Sequence, residues 1–241
     1  MRAEPTPNSL AAPKLSKHPS ARVQLGRSAL LLLYCCHASA QIPSNGPAVH
    51  LADSREPRDS GEPWTFSGSL YAYFPPDSGN YLQPTLTADH AWLHLEVRYN
   101  YEALDTGSAW LGYNFSGGDT VEWEFSPMLG GVFGKLTGVA PGYQGSVRWR
   151  RLELYSEGEY VIDSADPSAS FFYNWSELTL GALEWLRIGA VAQHTHVYQT
   201  DRQIQRGLLV GFSYRRMDLT THVFNPEGSN RTFVIALRVS W

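Results

Sequence analysis

Residues 93–102 read LHLEVRYNYE, and their alternation decides the fold class. Leu93, Leu95, Val97, Tyr99 and Tyr101 take one side; His94, Glu96, Arg98, Asn100 and Glu102 take the other. Successive side chains of a β-strand point to opposite faces, whereas a helix would scatter both sets around its axis. The segment is therefore read as a strand with one apolar and one charged face. The same period recurs along the chain. Val121, Trp123 and Phe125 alternate with Glu122 and Glu124, and Leu208, Val210, Phe212 and Tyr214 alternate with Gly207, Gly211, Ser213 and Arg215. From Trp64 onward no segment carries a helical period.

Turn residues punctuate these runs: PPDSGN at 75–80, ALDTG at 103–107, SGGD at 116–119, APGY at 140–143, SADPSA at 164–169 and NPEGSN at 225–230. The strands expected between them cover 64–74, 81–102, 108–116, 120–130, 132–140, 143–149, 151–163, 169–180, 185–199, 205–215, 217–225 and 230–241. Residues 81–102 count as one long strand because no strong turn dipeptide interrupts them. Twelve strands result, an even number. The tight joints at ALDTG, Gly130-Gly131, Trp149-Arg150, Gly181-Ala182-Leu183 and Arg215-Arg216 are then expected at one end and the longer polar loops at the other.

The two faces separate a membrane barrel from a soluble sandwich. A sandwich packs an aliphatic core and turns its polar face to water. Here the apolar rows are capped near strand ends by Tyr99, Tyr101, Tyr113, Phe115, Phe171, Phe172, Tyr198, Tyr214, Phe224 and Trp241, which suits two aromatic girdles at bilayer interfaces. The polar rows carry Arg98, Arg148, Arg150, Arg187, Arg215 and Arg238 among Glu96, Glu122, Glu124, Glu153, Glu157 and Glu177. Charges facing inward must be paired or hydrated, so a charge ladder across a wet lumen is expected. A strand in hydrocarbon cannot leave an edge unpaired, so the sheet is expected to close on itself. The fold class is a closed antiparallel up-and-down transmembrane β-barrel over residues 64–241.

Upstream, Ser28–Tyr34 reads SALLLLY, preceded by Arg22 and Arg27 and followed by Ala38-Ser39-Ala40. This is the pattern of a secretory signal peptide cleaved after Ala40, too short to span a bilayer. The polar first 20 residues read as an over-extended start of translation. Lipidation at Cys35 is disfavoured by the bulky Tyr34 before it. Both cysteines, Cys35 and Cys36, leave with the leader, which excludes a disulfide scaffold and a cysteine metal site from the mature chain. The remainder holds 14 Lys+Arg against 22 Asp+Glu, the wrong sign for nucleic-acid binding. Residues 41–63, rich in Pro and charge, are expected to be a disordered periplasmic linker or a lumen plug.

Arg231–Trp241, RTFVIALRVSW, resembles the final strand of bacterial outer-membrane β-barrel proteins: Phe233, Ile235, Leu237, Val239 and Trp241 alternate, and a terminal aromatic carries the free carboxylate. The resemblance implies a Gram-negative outer-membrane location and recognition of this segment, as the insertion signal, by the barrel-assembly machinery. A monomer is expected, without cofactor or metal. It implies no specific activity.

Several constellations were weighed for chemistry. His194 and His196 share one face of their strand, a metal-compatible spacing, but no third ligand accompanies them. With Arg187, Gln193 and Thr195 inward, both histidines point outward near the external rim. A lipid-hydrolysing barrel enzyme needs a serine and a histidine on the outer face, where its substrate lies. Outer-membrane phospholipases have a similar strand number, but their motif is not present as a string, and His222 with Ser213 is the pairing to test. Glu153, Glu157 and Glu159 share a face and read as ladder rather than calcium site. Gly117-Gly118 and Gly130-Gly131 read as turns or close strand crossings. The expected function is a narrow channel for small polar solutes, with a plugged envelope-integrity barrel and the lipid-hydrolysing enzyme as alternatives.

Overall fold

The computed structural model describes residues 63–76, 78–197, 203–228 and 230–241. The expected leader over 1–40, the linker over 41–63 except Pro63, and Tyr198 lie outside them. The described chain forms β1 (Thr65–Phe74), β2 (Tyr81–His90), β3 (Leu93–Tyr99), β4 (Thr106–Tyr113), β5 (Phe115–Gly117), β6 (Val121–Gly134), β7 (Gly138–Trp149), β8 (Leu152–Asp163), β9 (Phe171–Leu183), β10 (Leu186–Val197), β11 (Gln203–Tyr214), β12 (Met217–Phe224) and β13 (Thr232–Ser240). Each pairs antiparallel with its neighbours. β4 and β5 both lie against β6 and form one stave interrupted at Asn114, so the barrel has twelve. The last strand pairs with the first from Ser67↔Ser240 to Phe74↔Phe233. Reciprocal bonds from Phe66 N to the Trp241 oxygen at 3.1 Å and from Trp241 N to the Phe66 oxygen at 2.9 Å finish the seam.

The closed meander is the fold that the alternation implies, but turns at 91–92 and 135–137 replace the expected ones at Gly130-Gly131 and APGY, which leaves the count at twelve. Residues 81–102 are two strands, not one, turning at Ala91-Trp92. Ala91 takes a left-handed backbone with φ 51°, as Arg150 and Arg215 do in the equivalent short turns. These turns use residues that do not advertise a positive φ, so no glycine or asparagine marks them. Conversely Gly130-Gly131 is no joint. It lies within the 14-residue β6, and the APGY stretch runs inside β7. Gly130 is small because Trp110 of β4 lies against it: a Cβ built on Gly130 would stand 2.6 Å from the indole.

A third correction concerns polarity. The turn containing ALDTG is at the opposite end from Arg215-Arg216, because Met217 pairs with Val239 beside the C-terminus while Tyr99 and Thr106 lie at the far end of their strands. One end of the barrel therefore carries the short turns at 91–92, 150–151, 184–185 and 215–216, with the 114–120 connection. The other carries the longer connections, including the 163–171 loop. There Asp166 caps a 3-10 turn by accepting from Ser168 Oγ (2.6 Å) and Ser168 N (3.0 Å), which holds its carboxyl below the usual range.

The register sorts the side chains. Leucine, valine, isoleucine and aromatic residues face out on every stave, with Leu111, Leu129 and Leu208 near 60% exposed. Trp64, Trp92, Tyr113, Trp123, Trp149, Trp185, Tyr214 and Trp241 face out around the short-turn end. Tyr101, Phe171 and Phe224, expected in the outer girdles, face inward instead. Asn100 breaks the alternation with φ 59° after β3 has ended at Tyr99, which turns Tyr101 into the bore. We predict that Gly130→Val, crowding Trp110, destabilises the barrel by about 1–3 kcal/mol, whereas Gly131→Val, which meets nothing within 4 Å, is near neutral. Urea unfolding in detergent, followed by tryptophan fluorescence, checks the difference.

Candidate functional site

The inward side chains divide into two zones. Toward the long-loop end the bore is filled. Tyr73, Trp175, Val191, Leu209, Phe224 and Val234 form one buried apolar cluster, and Trp110, Met128, Val132, Ala140 and Val161 form another across the lumen. The β3–β4 turn bridges them. Tyr101 reaches across to meet Tyr173 edge-on with ring centroids 5.5 Å apart, while the Arg98 guanidinium lies 4.2 Å from the Tyr101 ring and 4.5 Å from Trp110.

Charge enters this packed zone only with partners. Arg98 donates to Glu96 through Nε and to Glu159 through Nη1 at 2.9 Å, and its Nη2 rests 3.6 Å from Met128 Sδ. Gln144 Nε2 donates to Glu96 at 2.5 Å, and His94 bridges Glu96 (3.2 Å) and Asp89 (2.7 Å). Tyr101 and Tyr155 both donate to Glu157, at 2.5 and 2.6 Å. Ser108 donates to Glu102 at 2.5 Å and accepts from the Trp110 indole at 2.9 Å. Such satisfaction is what burial of ionised groups requires. One oxygen on each of Glu102 and Glu159 has no hydrogen-bond partner among the described residues.

Toward the short-turn end the ion pairs of Arg187 and Arg148 are half-exposed. Arg187 forms a fork with Asp218, which also accepts from Ser213 (2.7 Å) and Thr220 (2.9 Å). Arg148 donates to Glu153 at 3.1 Å. Glu122 is the cross-strand partner of Arg148, and Glu124 of Ser146. Glu177 accepts from Trp175 at 2.9 Å and lies 2.8 Å from His222 Nε2. Arg238 faces a cavity of about 50 Å³ that runs from Ser67, Ser69 and Thr85 up to Tyr101, Tyr173 and Trp175, large enough for a few water molecules.

Of the expected lumen ladder, Glu96, Arg98, Glu122, Glu124, Arg148, Glu153, Glu157, Glu177 and Arg187 face inward. Arg150 and Arg215 do not: each occupies a short turn, exposed, over the ring of Trp149 or Tyr214. The His222–Ser213 pairing does not assemble, since both residues face inward and bind Glu177 and Asp218 respectively. Sequence reading missed Tyr71, Tyr73, Tyr101, Tyr155 and Tyr173, which line the bore, and it missed Asp218. Arg98 holds two buried carboxylates, so we predict that Arg98→Met destabilises by about 3–5 kcal/mol. Arg148→Met, whose pair is half-exposed, should change stability by less than about 1 kcal/mol. Equal shifts in the two unfolding midpoints would contradict this.

No protein-family model matches the chain, and no curated protein does. Among solved structures it is similar to the KdgM porin, with TM-score 0.54 and 12% identity, covering 73% of this chain and 99% of that one. Weaker likenesses are the outer membrane protein opdK from Pseudomonas aeruginosa (TM-score 0.39, 9% identity, 70% of this chain and 61% of that one) and the siderophore receptor PirA from the same organism (TM-score 0.34, 12% identity, 73% and 47%). The chain folds as a β-barrel of the bacterial outer-membrane type.

Proposed function

We propose that the protein is an outer-membrane barrel whose lumen is plugged by its own side chains: a polar chamber entered from the periplasm and closed toward the cell exterior. Short turns mark the periplasmic end of such barrels, which orients the chamber. The outward apolar rows and the aromatic band around the short-turn end support residence in a bilayer. The final strand, through Phe233, Ile235, Leu237, Val239 and Trp241, serves as the signal that the barrel-assembly machinery reads.

The bridge of Tyr101 between the two apolar clusters carries this reading. An ion crossing that layer would have to displace packed rings and the ion pairs of Arg98 with Glu96 and Glu159, groups whose bonding is already met by one another. The plugged, structural reading is therefore favoured over a free-running pore. A gated channel for small polar solutes is the second reading, favoured by the likeness to a porin and by the polar cavity beside the plug.

In planar bilayers the wild-type protein should give no reproducible conductance steps. Tyr101→Ala combined with Trp175→Ala should open the bore and give steps that favour cations, because inward carboxylates outnumber inward arginines. Steady wild-type steps at low voltage would overturn the plugged reading, and steps confined to high voltage would favour the gated one. Heat-dependent gel mobility verifies that each variant is folded.

A further inference from the structure

The outer wall carries one feature that neither plug nor chamber uses. Across the described strands the outward positions hold no aspartate or glutamate, and their polar residues concentrate on β7–β11. The register aligns two adjacent rows there. One runs Tyr143, Gly158, Asn174, His194 and Ile204; the next runs Gly145, Ser156, Ser176, Ala192 and Arg206. With neighbouring strands about 4.8 Å apart, this island is about 20 Å wide.

Within it the polar groups are knitted together. Asn174 Nδ2 donates to Tyr143 Oη (2.9 Å), Ser156 Oγ (3.1 Å) and the Glu157 carbonyl (2.8 Å), while Asn174 Oδ1 accepts from Ser176 Oγ at 3.1 Å. The two serine hydroxyls lie 3.0 Å apart. Two groups remain outside this network. His194 Nε2 is enclosed without a hydrogen-bond partner among the described residues, its ring edge-on to Phe172. Arg206 is exposed and has no ion-pair partner among the described residues. A cation on a wall that faces hydrocarbon needs a counter-ion.

Resting on the membrane reading above, we infer that this island binds an acylated lipid through its phosphate. Arg206 pairs with the phosphate, Ser176 and Asn174 meet the ester and hydroxyl groups next to it, and the acyl chains lie along Leu178, Leu208 and Ile188. The island sits in the long-loop half of the wall, which faces the outer leaflet in the proposed orientation. Charge complementarity selects the occupant. A second copy of this chain presents the same wall without a carboxylate, so a two-fold contact would bring arginines together with nothing to neutralise them. A lipid phosphate supplies that charge, and guanidinium matches it with paired N–H donors.

Native mass spectrometry of the full chain refolded in maltoside micelles tests this, with dioleoyl phosphatidic acid as probe and dioleoylglycerol, which lacks the phosphate, as its control. Phosphatidic acid should be retained at one per barrel, about ten-fold more tightly than dioleoylglycerol. Arg206→Gln should abolish that preference. Arg206→Lys should preserve most of it, and Arg215→Gln, at the opposite end of the barrel, all of it. Equal retention of both lipids, or an unchanged preference in Arg206→Gln, would overturn the inference. So would competition by millimolar inorganic phosphate as effective as that of the lipid, or a dimer lost on Arg206→Gln. A barrel folded in micelles that retains no phosphatidic acid removes this inference alone. A chain that remains dissolved without detergent removes the membrane reading with it.

Discussion

Every backbone N–H and C=O in a sheet needs a partner, and a sheet without edges is the way twelve strands can provide one for all of them. The seam between β1 and β13 meets that requirement, with Phe66 and Trp241 exchanging both of their hydrogen bonds at the end of the chain. Once the ring is closed, each strand has an inside and an outside. The two-residue period then assigns every side chain to one or the other. Lumen, wall and girdle are consequences of that single closure.

The interior holds more charge than a dry core tolerates and more aromatic surface than a water-filled pore needs. The structure resolves this by height. Near the short turns, arginines and carboxylates are half-hydrated and pair across strands, as in the Arg187–Asp218 fork. Near the long loops, Arg98 is almost fully enclosed, and it is held by Glu96, Glu159 and the faces of Tyr101 and Trp110. Buried ion pairs add little net stability but are intolerant of losing one member. Their worth here is positional: Arg98 fixes Tyr101 across the bore.

The wall obeys the opposite rule. Apart from His90 and Thr221 it is apolar except where five neighbouring strands bring their few hydrogen-bonding side chains into register, with Gly158 leaving room for the Tyr143 ring. Asn174, Ser156 and Ser176 are separated by up to 20 positions in the chain and become neighbours only through the pairing of β8 with β9. A polar residue on such a face is read differently alone than in company, and the company is set by register.

Alternation was legible in the residues, and with it the barrel class, the inward course of Glu96, Arg98, Glu122 and Glu124, and the outward course of His194. These follow from a local property, the two-residue repeat of an extended chain, which needs no knowledge of any partner strand. Ala91-Trp92 was not legible as a turn, because alanine can adopt a left-handed backbone when hairpin pairing on both sides compensates. Gly130 was misread as a turn because the reason for its size, the Trp110 indole, belongs to another strand. Tyr101, Phe171 and Phe224 look like girdle residues, yet they point inward, since direction at a strand end depends on where the strand stops. Which face a side chain takes is written in its immediate neighbours. What it meets there, whether plug, ion pair or polar island, depends on the register of strands distant in sequence, and only the folded barrel fixes that.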